Sequence, residues 1–200
     1  IAYLAEDEAD FYRRLDKLMD ISARSLSVKR TVITKLLNEG LYPYTRRYLG
    51  TFENHFSTIG LIGMNEVGLN AKWLRADMTH EKTQQFTKEV LDHMRERLSD
   101  YQEKYGDLYN LEATPAESTT YRFAKHDVAQ FPDIITAAKD GGTPYYTNSS
   151  HLPVSFSEDI LRRSTFRMIF RRDTPPAQSS TPSSARSCPT GPRLLLSCAR

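Results

Sequence analysis

The chain has 200 residues, 39% hydrophobic and 26% charged, ordinary usage for a globular domain with a core of its own. No apolar run reaches the roughly 20 residues of a membrane-spanning helix, and the opening IAYLAEDEADFYRR is acidic, without the basic-then-apolar order of a secretion signal. The net charge of +2 divides unevenly: residues 162–200 hold eight Arg and one acid (Asp173), giving +7, while residues 1–161 hold 19 basic and 24 acidic side chains, giving −5.

An acidic body lacks the basic stripe of a general nucleic-acid surface. Both cysteines, Cys188 and Cys198, lie in the basic tail. A secreted disulfide framework is therefore excluded, and the body reads as cytoplasmic. The first residue is Ile1, inside a helical pattern, so the sequence reads as an internal piece of a longer protein.

Between residues 6 and 38, Phe11, Leu15, Leu18, Ile21, Leu26, Val32, Leu36 and Leu37 recur at helical spacing, and Asn38-Glu39-Gly40 supplies a stop. This predicts one long helix, or two with a break at residues 25–27. Leu41-Tyr42-Pro43-Tyr44 reads as extended or turning. FSTIGLIG (56–63) is β-branched and apolar, a buried strand, and Gly63-Met64-Asn65-Glu66 leads into a helix. Phe86, Val90, Met94, Leu98 and Tyr101 form an apolar stripe, so residues 81–104 are an amphipathic helix ended by Gly106. Residues 108–114 form a short strand, with a helix from Pro115 to about His126. Residues 145–149 are a further short strand. Alternation of strands and helices makes the class α/β.

Three places suggest chemistry, and each has a plain alternative. Asn110–Thr119 is a strand entering a helix N-terminus. Free N–H groups, the helix dipole and the Thr114 or Ser118 hydroxyl would suit a phosphate there. Thr114 with Glu117 is equally a capping box. Asn65 and Glu66 sit at the end of a strand, where α/β folds gather ligands, but Asn65 is also a candidate helix cap. The cluster Tyr146-Thr147-Asn148-Ser149-Ser150 is either a polar pocket lining or turn chemistry. The five histidines show no paired metal-ligand spacing, and no phosphate-binding glycine loop or dinucleotide fingerprint occurs. Arg95 and Arg97, beside Asp92 and Glu96, read as a solvated helix face.

Taken together, GLYPYTRRYLG, FSTIGLIGMNE, LDHMRERLSDYQEKYGDLYNLEATPAESTTYRFAKHD, FPDIITA and PYYTNSSHLPV occur in an order that resembles the catalytic region of the anaerobic (class III) ribonucleoside-triphosphate reductases. The likeness runs from about Phe11 to Leu161, and TPAES is its most specific piece. The resemblance implies part of a ten-stranded α/β barrel with long helices. It implies a reaction that replaces the ribose 2′-hydroxyl of a ribonucleoside triphosphate with hydrogen, giving DNA precursors. A glycyl radical installed by a radical-SAM iron–sulfur activase would pass to a cysteine thiyl, with formate or a thiol system as reductant and a homodimer as the intact assembly. Carried over by position, Thr114, Pro115, Ala116, Glu117 and Ser118 would cradle the substrate phosphates, and Asn65, Glu66, Asn148 and Ser149 would face the barrel lumen.

The departures from the family pattern lie in the radical machinery. Residues 1–161 contain no cysteine, so no catalytic residue is assigned in this chain, and the glycyl-radical loop and the cysteine metal site of the family are missing. The chain alone is expected to be inactive. Rival readings are another glycyl-radical enzyme, such as a formate acetyltransferase relative, and a non-catalytic nucleotide-binding module.

After Leu161 the family pattern asks for a helix rich in Glu, Leu and Gln. The chain instead turns to Arg, Ser and Pro, and residues 162–200 contain no Tyr, Lys or Glu. A neighbouring reading frame admits codons for the expected helix over residues 162–171. The organisation is thus 1–161, a piece of the catalytic barrel, and 162–200, a frameshifted tail. The tail's composition reads as disordered, and it is not expected to pack on the body.

Overall fold

The computed structural model describes residues 1–113, 116–138 and 142–152. After a 3-10 turn at Ala2–Leu4, the described elements are α1 (Glu8–Asn38), α2 (Pro43–Tyr48), β1 (Phe56–Gly60), α3 (Met64–Asn70), α4 (Glu81–Tyr105), β2 (Leu108–Glu112) and α5 (Glu117–Gln130). The class is α/β. Among the described residues the sheet has two strands, β1 and β2, paired in parallel from Phe56↔Leu108 to Gly60↔Glu112. Parallel strands need a long crossover, and α3 and α4 supply it.

α1 is one unbroken helix. The Asp7 carboxylate caps it by accepting from the Asp10 amide at 2.8 Å. At its other end Gly40 takes φ +91°, with Gly40 N donating to Leu37 O and Leu41 N to Leu36 O. These two bonds form a Schellman stop, which the left-handed glycine makes cheap.

The buried face of α1 differs from the expected one. Phe11, Leu15, Met19 and Ala23 face the core at four-residue spacing, whereas Leu18, Ile21 and Val32 are 49%, 57% and 51% exposed. Apolar residues occur around much of the helix, so large residues suggested one stripe while packing selects another. Ala23 is used because it is small: the Tyr109 ring of β2 reaches its carbonyl, and the hydroxyl donates to Ala23 O at 3.0 Å.

α4 behaves as its periodicity predicts, burying Phe86, Val90, Leu91, Met94, Leu98 and Tyr101. Gly106 ends it at φ +71°. Phe11, Tyr12, Trp73 and Phe86 interlock where α4 meets α1.

Beside them runs a polar seam. Arg97 pairs with Asp20 at 2.7 Å and with Asp16 at 3.6 Å, His93 meets Asp16 at 2.7 Å, and the Tyr101 hydroxyl donates to Asp20 at 2.6 Å. Arg97 is thus an inter-helix link rather than part of a solvated face. Arg95 stays on its own helix, paired with Asp92.

Two further expectations are corrected. Pro43 opens a six-residue helix instead of an extended segment, because at the first helical position its missing N–H costs nothing. Residues 145–149 make no strand. They contribute one antiparallel bridge, Ile62↔Asn148.

Arg30 on α1 anchors the start of the sheet. It donates to Phe52 O and His55 O, both at 2.6 Å, and to Ser57 Oγ at 3.1 Å, and it pairs with Asp107 at 3.3 Å. One guanidinium therefore fixes the entries to both strands and leaves their carboxyl ends to carry loops.

Candidate functional site

At the carboxyl end of β1 the chain leaves the ladder and Gly63 turns it into α3 at φ +73°, serving as the N-cap. The backbone angle favours glycine, while a Cβ there would meet Tyr146 Cβ at 3.4 Å, an ordinary contact. Asn65 is therefore not the cap. It lies inside the first turn, buried, accepting from Met78 N at 3.2 Å and donating to Glu66 Oε1 at 2.9 Å.

Glu66 is 2% exposed. Besides Asn65, its carboxylate receives the Thr147 amide at 2.9 Å and the Thr147 hydroxyl at 2.8 Å, both on Oε2. Backbone bonds complete the clasp: Gly63 N donates to Thr147 O at 2.7 Å and Met64 N to Ser149 O at 3.1 Å. The structure thus brings Asn65, Glu66, Asn148 and Ser149 into one cluster. Asn65 and Glu66 turn to the protein interior, Asn148 is half-buried, and Ser149 is buried in a left-handed conformation, φ +48°. Among the described residues its Oγ has no hydrogen-bond partner.

Burial raises the pKa of Glu66 above the ordinary 4.5, because the ionised form loses its hydration, while the donors from Asn65 and Thr147 oppose the rise. Over the window that opens near 4.5, the folded chain therefore holds a proton that the unfolded chain has released. Stability from this group is full below the ordinary value and falls as pH rises through the folded one. The expected result is a urea midpoint difference between the wild-type chain and Glu66→Gln that changes in this direction from pH 4.5 upward. A difference that does not vary with pH would contradict it.

At the carboxyl end of β2, α5 starts at Glu117 with Ala116 as N-cap and no side-chain cap. Thr114 and Pro115 lie outside the described residues, and with them one half of the expected Thr114–Glu117 capping box. Ala116 is half-buried, and Glu117, Ser118 and Thr119 are exposed. The first helical bond is Thr120 N to Ala116 O at 2.8 Å, so the preceding amides have no partner within the helix. They present the positive end of a 14-residue dipole.

The two groups are joined indirectly, through the Tyr146 hydroxyl donating to Asp127 of α5 at 2.7 Å. Among the described residues no hydrogen bond links residues 116–118 to Asn148 or Ser149. Sequence reasoning missed Asn70, which donates to Glu66 O and Ile135 O and accepts from Ile135 N, all within 2.9 Å. Nothing local signals a partner so far along the chain. Chemically, the arrangement can bind an anion. Among the described residues no group of His, Cys, Asp and Glu is placed to hold a metal, and no helix is long and apolar enough to cross a membrane.

The family described as anaerobic ribonucleoside-triphosphate reductase matches residues 1–175, past Leu161, where the sequence suggests a change of frame. The Haemophilus influenzae protein of that description is 28% identical and aligns over 85% of this chain and 26% of its own length. The Escherichia coli protein is 30% identical over 74% of this chain and 22% of its own length. The anaerobic ribonucleotide reductase of Thermotoga maritima, solved with glycerol in its active site, superposes with a TM-score of 0.69 at 21% identity, over 84% of this chain and 27% of that one. Its complex with dATP and CTP gives 0.68 at 22%. At such identity the superposition speaks for the fold alone. The chain spans about a quarter of the length of the curated relatives it matches. The match covers residues 1–175, and the chain belongs to the anaerobic ribonucleoside-triphosphate reductase family.

Proposed function

We propose that residues 1–161 form the part of a reductase barrel that binds the ribonucleoside triphosphate substrate, in an enzyme that makes 2′-deoxyribonucleoside triphosphates. The observation that carries this reading is the exposed first turn of α5, Glu117–Thr119, whose amides have no partner within the helix, directly after the carboxyl end of β2. Phosphate oxygens would be held there by the Thr114 and Ser118 hydroxyls and the backbone amides of Ala116, Glu117 and Ser118, in the segment that includes Pro115. Asn148 and Ser149 would face the rest of the nucleotide, with Asn65 and Glu66 behind them.

The family's chemistry uses a glycyl radical and a cysteine thiyl. Residues 1–161 contain no cysteine, so they do not fit the hydrogen-abstraction step, and their part is to bind and orient. On its own the chain is inactive in this reading, a nucleotide-binding piece of an oxidoreductase. For the intact enzyme the reading adds the remaining strands of a ten-stranded barrel, a homodimer, a radical-SAM activase as partner and a cytoplasmic setting. Residues 162–200 are a frameshifted tail in this account. Sequencing the DNA through the codons for residues 150–170 tests that point: one restored base should bring back a Glu- and Leu-rich helix, and an unbroken reading frame would refute it.

Calorimetric titration of the 200-residue chain with ATP, CTP, GTP and UTP tests the binding reading. At least one triphosphate should bind, and the corresponding nucleoside should bind at least tenfold more weakly, since phosphate contacts supply most of the interaction (about 1.4 kcal/mol per tenfold). Equal binding of nucleoside and triphosphate would refute a phosphate cradle.

A further inference from the structure

We propose that Glu66 is a positioning residue: through Thr147 its buried carboxylate sets Asn148 and Ser149 in the conformation that meets the ribonucleoside triphosphate. The proposal rests on the nucleotide reading above and adds a residue that acts on the site from behind.

The case begins with the donors. Met78 N donates to Asn65 Oδ1, which leaves Asn65 Nδ2 to point at Glu66 Oε1, while Thr147 sends its amide and its hydroxyl to Oε2. Both oxygens of residue 66 must therefore accept. A carboxylate does this. A glutamine places an NH₂ against either Asn65 Nδ2 or Thr147, and Asn65 cannot turn over to help without losing Met78 N. Only an acidic side chain satisfies the cluster.

Cost and placement say what the acid is for. Glu66 is buried, and among the described residues no cationic side chain pairs with it. A buried charge is expensive to hold by neutral donors alone. What it holds is short and unusual: the bridge residue Asn148 and the left-handed, non-glycine Ser149. That conformation costs about 1 kcal/mol or more and persists only when its surroundings impose it. The Ser149 hydroxyl, 1% exposed and without a hydrogen-bond partner among the described residues, is the kind of buried group that calls for an explanation, and a bound ligand on this segment supplies one. The carboxylate and the two backbone bonds to Thr147 O and Ser149 O are what impose the conformation.

The test compares the full 200-residue chain with Glu66→Gln, Thr147→Val and Thr147→Ser. It measures binding of ATP, CTP, GTP and UTP by equilibrium dialysis and amide hydrogen exchange residue by residue. Glu66→Gln should weaken triphosphate binding about tenfold or more, the loss of a charged hydrogen-bond set, and speed exchange at the Thr147 amide while α4 stays protected. Thr147→Val, the milder variant should Glu66→Gln not fold, should weaken binding by roughly threefold, and Thr147→Ser should restore it. Wild-type affinity in both Glu66→Gln and Thr147→Val would overturn the positioning role and leave the nucleotide reading standing. A wild-type chain that binds no triphosphate would overturn the nucleotide reading, and the positioning role with it.

Discussion

Phe86→Ala is expected to cost the fold about 3–5 kcal/mol, the range for removing a buried aromatic ring. Phe86 is the node at which α4, α1 and the segment after α3 meet: its ring lies 5.3 Å from Phe11, 6.1 Å from Tyr12 and 6.0 Å from Trp73, centroid to centroid. Truncation removes the transfer energy of the ring, leaves a cavity, and deletes edge contacts worth about 0.5–1.5 kcal/mol per pair. Small domains hold about 5–15 kcal/mol in total, so the variant should unfold at a much lower urea concentration with an unchanged slope. A loss below about 1 kcal/mol would mean that α1 and α4 are held together elsewhere, by the seam of Arg97, Asp16 and Asp20.

Gly68→Ala is expected to destabilise although Gly68 lies within a helix, where alanine is ordinarily better by about 1 kcal/mol. The reason is space. A Cβ at Gly68 would lie 2.3 Å from the Ala76 carbonyl oxygen and 2.5 Å from Thr83 Cγ2. The carbonyl is backbone, and it is fixed by accepting from the Thr83 hydroxyl at 3.1 Å, while Ala76 N donates back to Gly68 O at 3.2 Å. Relief requires α3 to move off the turn that precedes α4, at about 1–3 kcal/mol as for other overpacked sites. Because α3 carries Asn65 and Glu66, the movement should also loosen the 147–149 segment. Thermal unfolding gives the sign: a lower midpoint is predicted, and a midpoint equal to or above that of the wild-type chain would contradict the close packing.

What could be read from the sequence follows from how local each determinant is. The α4 stripe, its Gly106 stop and the starts of the two strands depend on neighbours within a few residues and stand where the pattern puts them, while the strands end earlier, at Gly60 and Glu112, and β1 is only partly buried. The face of α1 was legible in part: Phe11, Leu15 and Leu37 are buried as the spacing predicts, whereas choosing Met19 and Ala23 over Leu18 and Ile21 depends on Tyr109 and α4, far along the chain. Pro43 misled because the same ring that blocks a helix interior suits a helix start. Residues 145–149 carry strand-like chemistry yet meet only Ile62. At the candidate site, Asn65, Glu66, Asn148 and Ser149 could each be singled out as polar residues after strand-like runs, but the way they connect was hidden. Glu66 and Thr147 are 81 residues apart, and no spacing rule reaches that far.

If the first turn of α5 and the 147–149 segment receive the triphosphate, amide hydrogen exchange of the 200-residue chain, with and without a saturating ribonucleoside triphosphate, will show it. The amides of Glu117, Ser118 and Thr119 have no acceptor within their helix and should exchange fast in the free chain. With the triphosphate they should slow at least tenfold, together with Asn148 and Ser149, while α1 is unchanged. Slowing confined to α1 or α4, or none at residues 117–119, would contradict the account.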